Sequence, residues 1–267
     1  MRLRKIPRDT TALSTALPLS LPGGTVGALL IHGFTGTPRD LANLAGCLQA
    51  SGITVSVPRL PGHGTNGRDF LQSGWRDWLR ASVDAYADLR ARCSTVHVVG
   101  FSMGGIIAVL LAARFPVTRL VLLAPALRTR NPLLAFAPFM KLFVRRMRWP
   151  YVLKEGFDDP DSAVLATEYW GWRYSSQAAS LLHIKRMARR SLSKVKADTL
   201  TIVGDADASV PASVIPLIER KISAARKRHL VIENGKHLIL GGEQGGSVAA
   251  EVVTWLVEPV SPAGRGA

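Results

Sequence analysis

The chain has 267 residues, a formal net charge of +15, and 47% hydrophobic against 20% charged residues. That balance is globular and excludes a low-complexity chain, and the length holds one large α/β domain with an insertion or two small domains. No uninterrupted apolar stretch reaches the roughly 18 residues of a membrane span. Cys47 and Cys93 have neither the spacing of a disulfide framework nor neighbours resembling a metal site, so they read as small buried thiols. Nothing demands an oxidising compartment, and the cytoplasm is the expected location. The basic start Met1-Arg2-Leu3-Arg4-Lys5 and the mildly apolar Ala12 to Leu21 have the outline of a secretory signal. Arg8, Asp9 and two threonines interrupt it, Pro18 and Pro22 oppose a helix, and no cleaved signal is expected.

In chain order, Gly27 to Ile31 is a short apolar strand followed by the loop His32-Gly33-Phe34-Thr35-Gly36-Thr37-Pro38, and a helix follows near Arg39 to Ser51. Ile53 to Val57 is the next strand, ending in Pro58-Arg59-Leu60-Pro61-Gly62-His63-Gly64-Thr65. Trp75 to Arg92 has helical spacing. Val96-His97-Val98-Val99 is β-branched and buried in character, Ile106 to Arg114 suits a helix, and Arg119 to Pro125 is a further strand. The alternation lapses from Ala126 to Lys196 and resumes with strands at Leu200 to Val203 and His229 to Glu233. Strand and helix in alternation imply a parallel sheet with helices on both faces. Residues 126–196 read as an insertion lying over it.

Between strand and helix stands Gly100-Phe101-Ser102-Met103-Gly104-Gly105. In Gly-x-Ser-x-Gly a sharp elbow strains the serine, and the glycines remove Cβ atoms that would meet neighbouring backbone. The serine hydroxyl is presented beside a helix N-terminus, where the Met103 amide and the helix dipole favour developing negative charge. A phosphate-holding turn fits worse, because neither Gly-x-Gly-x-x-Gly nor a terminal Gly-Lys-Ser/Thr is present.

A serine nucleophile needs a base and an acid, and in open α/β sheets these stand at the carboxyl ends of strands. Gly204-Asp205-Ala206-Asp207-Ala208-Ser209 follows one late strand and Asn234-Gly235-Lys236-His237 the other. The resulting order Ser, Asp, His is that of hydrolases built on such a sheet. His97 lies inside a strand, His229 at the start of one and His183 in the insertion. His32 and His63 precede the serine and are expected to bind backbone groups and shape their loops. Of the two acids, Asp207 lies further along the turn toward the histidine, and Asp205 is expected to support the loop.

These residues resemble the bacterial carboxylesterases and monoacylglycerol lipases of the α/β-hydrolase superfamily. His32-Gly33-Phe34-Thr35-Gly36 is similar to their oxyanion loop, Pro61-Gly62-His63-Gly64 to a second characteristic loop, and Gly100 to Gly105 to their nucleophile elbow. The likeness covers about residues 17 to 126 and 197 to 257. Phe101 stands where leucine is common and Lys236 where glycine is usual.

The resemblance implies an α/β-hydrolase fold, with a mostly parallel central sheet flanked by helices, a core of residues 1–125 and 197–267 and a small cap at 126–196. It implies an ester hydrolase with Ser102 as nucleophile, His237 as base, Asp207 as acid, and the backbone amides of Phe34 and Met103 as the oxyanion hole. The acid three residues after the glycine supports Asp207. No cofactor or metal is needed, and serine in place of a carboxylate argues against dehalogenase or epoxide-hydrolase chemistry. Lactone hydrolysis, acyl transfer by the same triad, or a non-catalytic binding protein on this fold are the alternatives.

The charge is unevenly spread. Residues 126–196 carry fourteen Lys or Arg against five Asp or Glu, a local +9. Lys141, Arg145, Arg146 and Arg148 mingle there with Leu133, Leu134, Phe136, Phe139, Met140, Leu142 and Phe143. No nucleic-acid motif is present and no nucleic-acid partner is expected. A basic and apolar surface suits contact with anionic lipid, and the alternative is a solvated basic face.

Overall fold

The computed structural model describes residues 11–150 and 160–258; the basic start at Met1–Lys5, with Arg8 and Asp9, lies outside them. The chain opens with β1 (Leu19–Leu21), β2 (Val26–Ile31), α1 (Ala42–Ala50), β3 (Thr54–Val57), α2 (Gly67–Phe70) and α3 (Trp75–Arg92). It continues with β4 (Thr95–Phe101), α4 (Met103–Ala112) and β5 (Arg119–Leu123). Next come α5 (Ala137–Met140), β6 (Arg146–Arg148), α6 (Pro160–Leu165), β7 (Trp172–Tyr174) and α7 (Ser175–Ser191). The alternation resumes with β8 (Asp198–Gly204), α8 (Val214–Lys221), β9 (Lys227–Ile232) and α9 (Gly245–Val257).

Seven strands form one sheet in the order β1-β3-β2-β4-β5-β8-β9. All neighbours pair in parallel except β1, which runs antiparallel to β3 with Leu19 opposite Val57. That edge strand lies in the stretch whose apolar character raised the question of a signal. Side chains of period two divide the core: Leu29, Ile31 and Val98 join α3, α4, α7 and α8 on one face, while Ala28, Leu30 and Val99 join α1 and α9 on the other.

Helix α4 begins three residues before the expected Ile106, directly at the elbow, and every residue from Met103 to Ala112 is buried. An all-apolar helix needs cover on all sides, and α7 supplies it by packing over α4 and α3. Residues 126–196, expected to hold no clear strand, contain β6 and β7, paired as a two-stranded antiparallel sheet with Met147 opposite Arg173.

Polar side chains anchor this segment. Asp161 Oδ2 accepts from Ser14 Oγ, Thr15 N and Thr15 Oγ1 at 2.8, 2.9 and 2.8 Å. Tyr169 donates its hydroxyl to Gly62 O and accepts from Thr65 N, both at 2.9 Å, and Glu168 accepts from Gly67 N at 2.9 Å. The segment is thereby tied to the loop carrying Pro61-Gly62-His63-Gly64.

Candidate active site

The carboxyl edge of the sheet is where the backbone is strained. Thr35, Ser102, Ala124 and Asn234 have positive φ, and each follows the carboxyl end of a strand, β2, β4, β5 and β9 respectively. Ser102 sits at φ 54° and ψ −110°. The close approach behind it explains the glycines: a Cβ at Gly100 would collide with the backbone of Gly104 and Gly105, and one at Gly104 with Ile31 and His32. Strand β2, strand β4 and α4 therefore meet without intervening side chains, which turns the serine side chain outward.

Three residues distant in sequence converge there. His237 Nε2 lies 3.0 Å from Ser102 Oγ, and His237 Nδ1 lies 2.7 Å from Asp207 Oδ2. The other carboxylate oxygen, Asp207 Oδ1, accepts from the amides of Ser209 at 2.6 Å and Val210 at 2.9 Å. Burial alone pushes the Asp207 carboxyl up, but the hydrogen bond and charge of His237, with these two amides, outweigh it and hold the group below the ordinary carboxylate range. Asp207 is 1% exposed, whereas Asp205 is exposed, its amide bonded to Ile232 O at 3.2 Å, and among the described residues its carboxylate makes no hydrogen bond to His237.

The two amides expected to form the oxyanion hole belong to Met103, which follows the serine, and to Phe34, which follows Gly33. The Ser102 amide is taken by Leu123 O at 2.9 Å, but among the described residues those of Phe34 and Met103 donate to no other group. Gly33, next to Phe34, packs directly on Phe101 and Ser102.

His32 and His63 bind backbone, as expected. Leu60 donates its amide to His32 Nε2 at 3.1 Å, which leaves the proton on Nδ1, and that group donates to Gly33 O at 3.0 Å. His32 thus joins the loop after β2 to the loop after β3. His63 sits edge-on to it, ring centres 5.0 Å apart, with Nδ1 3.2 Å from Pro61 O.

Sequence reasoning missed Arg130. Its Nε donates to Asp207 O at 3.0 Å and its amide to Ser209 O at 2.9 Å, so the start of the 126–196 segment braces the acid loop. Both acceptors are carbonyls, which every residue carries, so no sequence signal marks the pairing.

The buried histidines set an acid limit on stability. Burial holds His32 and His97 down to about 4 and His63 well below the ordinary imidazole value of 6.5. All three stay neutral in the folded chain but protonate when it unfolds below that value, so stability falls as pH drops from 6.5 toward 4. Asp40, pushed up to about 6 by burial, opposes one of them, because it takes up a proton more readily folded than unfolded. We expect the unfolding free energy from urea titration to fall over this window, by on the order of 3 kcal/mol for each of His32 and His97 before the offset from Asp40. His97→Gln should flatten the curve by about one such share. A midpoint indifferent to pH there would contradict three neutral buried imidazoles.

Comparison with known proteins agrees with this architecture. The profile of the alpha/beta hydrolase family matches residues 28–251. The chain is 32% identical over 230 residues to a thermostable monoacylglycerol lipase of Bacillus sp. (strain H-257), covering 85% of this chain and 88% of that protein. It is 31% identical over 108 residues to a carboxylesterase of Bacillus subtilis (strain 168), which is 40% of this chain and 44% of the relative. A solved structure from work on the metagenome-derived lipolytic enzymes LipS and LipT superposes with a TM-score of 0.84 at 28% identity, covering 93% of this chain and 100% of that one. The monoacylglycerol lipase of Paleococcus ferrophilus shares the fold, with a TM-score of 0.74 at 19% identity over 90% of this chain and 98% of that one. The matched span runs unbroken through the serine elbow, the acid loop and the histidine loop, and the chain belongs to the alpha/beta hydrolase family.

Proposed function

We propose that the protein hydrolyses carboxylic esters of small to medium acyl chains, monoacylglycerols among them, through an acyl-enzyme on Ser102. The observation that carries this reading is the continuous chain from Ser102 through His237 to Asp207, at 3.0 and 2.7 Å, on a strained elbow. In this mechanism Ser102 Oγ attacks the ester carbonyl as its proton passes to His237 Nε2. Asp207 keeps the Nδ1–H tautomer and stabilises the imidazolium. The amides of Phe34 and Met103 receive the oxyanion, each worth about 3 kcal/mol in the transition state. His237 then gives its proton to the leaving alcohol, and a water molecule, activated by the same imidazole, releases the acid. The names of the Bacillus relatives support the ester class.

The test is turnover of a chromogenic ester series from acetate to dodecanoate beside a monoacylglycerol. Hydrolysis that peaks at short or medium chains is expected, and no turnover of any member would overturn the proposal.

Residues 126–196 are proposed to act as a cap over the site, except for the end of α7, which runs on to the amino edge of the sheet, and a cytoplasmic setting is proposed with it. Among the described residues no helix is long and apolar enough to cross a membrane. The finer proposal is peripheral contact of the cap with anionic lipid. Leu133, Phe136, Phe139, Leu142 and Phe143 are all more than 60% exposed, the last by 72%, beside exposed Lys141, Arg145, Arg146 and Arg148. A cation near an anionic surface contributes about 1 kcal/mol, and salt screens it. Co-sedimentation should favour anionic over neutral vesicles at low salt, and changing Arg145, Arg146 and Arg148 to Gln should weaken it about tenfold or more. Equal sedimentation with both vesicle types would leave a solvated basic face.

A further inference from the structure

At the opposite end of the molecule from Ser102, α7 and α8 finish side by side around a cleft of about 620 Å³. Lys227, the first residue of β9, donates to Glu219 O at 2.8 Å and Ile222 O at 3.4 Å at the close of α8, so the cleft lies at the amino edge of the sheet. Arg186, Arg189, Arg190, Arg220 and Lys221 line it, and no carboxylate does.

We propose that this cleft binds a soluble anion carrying two or more phosphoryl groups. Five cations face one opening, all exposed, and among the described residues none of them is engaged in an ion pair. Glu219, beside Arg220 in the chain, is engaged by Lys227 at 3.2 Å and His229 at 2.7 Å. The wall between the two helices is held in place by Ser223, which donates its hydroxyl to Ser193 O at 2.8 Å and its amide to Val195 O at 3.1 Å.

Cations are ordinary in the last turn of a helix, where they answer the partial negative charge of the free carbonyls. Two helix ends supply about one unit of negative charge between them, against five full positive charges, so about +4 remains unanswered at the cleft. The crowding reaches Lys185, which donates to Thr129 Oγ1 at 2.8 Å; burial, then Arg189 and Arg186, hold it below the ordinary lysine range. Arginine forks take phosphoryl oxygens two at a time, and the volume falls within the range of small-ligand sites, about 300–1,000 Å³. A single monovalent anion would leave most of the charge unmatched, whereas linked phosphoryl groups meet several guanidinium groups at once.

The experiment is calorimetric titration of the full chain with tripolyphosphate at physiological ionic strength, where exposed charges more than about 8 Å apart are largely screened. Saturable binding is expected for the wild type. The variant with Arg189, Arg190 and Arg220 changed to Gln should bind at least tenfold more weakly, with ester turnover unchanged. A control with Arg68, Arg80 and Arg114 changed to Gln, equal in net charge, should bind like the wild type. Arg220→Gln alone, expected to weaken binding several-fold, serves if the triple variant does not fold. No saturable binding by the wild type, or equal weakening in the control, would overturn the site. Binding only to vesicles bearing phosphorylated headgroups would overturn the soluble ligand.

Discussion

Ser102→Ala is expected to reduce ester turnover by about a millionfold, the scale on which removal of a triad serine acts, while leaving the fold intact. Among the described residues the side chain of Ser102 makes one hydrogen bond, to His237, and alanine retains the Cβ around which the elbow is built. The cost in stability is that of one partly exposed bond, about 1 kcal/mol. The unusual backbone at φ 54° is imposed by the packing of Gly100 and Gly104 on their neighbours and persists in the variant. Fluorophosphonate labelling of the wild type should map to Ser102 and vanish in the variant. Wild-type turnover by a folded Ser102→Ala protein would remove the acyl-enzyme from the mechanism.

Asp207→Asn is expected to cost about 10⁴ in turnover, and Asp205→Asn less than about twofold. The asymmetry follows from where the carboxylate oxygens point. Asp207 Oδ1 faces two amide donors at 2.6 and 2.9 Å, so in the variant the amide oxygen must stay on that side. The new NH₂ group then faces His237 Nδ1, the position Oδ2 held at 2.7 Å, and forces that nitrogen to accept. The ring proton moves to Nε2, which can no longer take a proton from Ser102. Asp205 is exposed and holds no such position. Equal losses in the two variants, or the reverse order, would reassign the acid. Arg130 bears on the same loop, through its carbonyls rather than its carboxylate.

The elbow was legible in the sequence because its constraint is local. Gly100 and Gly104 are required by collisions within a few residues of themselves or with one adjoining strand, and their spacing around Ser102 records that. The strands were legible where they are buried on both sides and hence continuously apolar, as in β2, β4 and β5. The edge strand β1 and the small sheet of β6 and β7 were not, since each strand has three residues, too few to establish a period. The amphipathic α8, whose buried Leu217 and Ile218 stand beside exposed Arg220 and Lys221, also went unread.

By itself the sequence determined the class of chemistry: a serine at a glycine-flanked turn, then an acid and a histidine in loops after strands, in that order. Only the tertiary structure decided that they meet. Parallel pairing of β8 with β9 sets Gly204 opposite Ile232, so their loops leave the sheet side by side and Asp207 reaches His237. The order of β4, β5 and β8 then carries that pair to Ser102, 135 residues from His237 in the chain. Strand order and register are long-range properties, selected by which apolar faces pack together, and a pattern read within one stretch of chain holds no record of them. The same holds for the cations of α7 and α8, ordinary helix ends in sequence that become one cleft only when the two helices finish side by side.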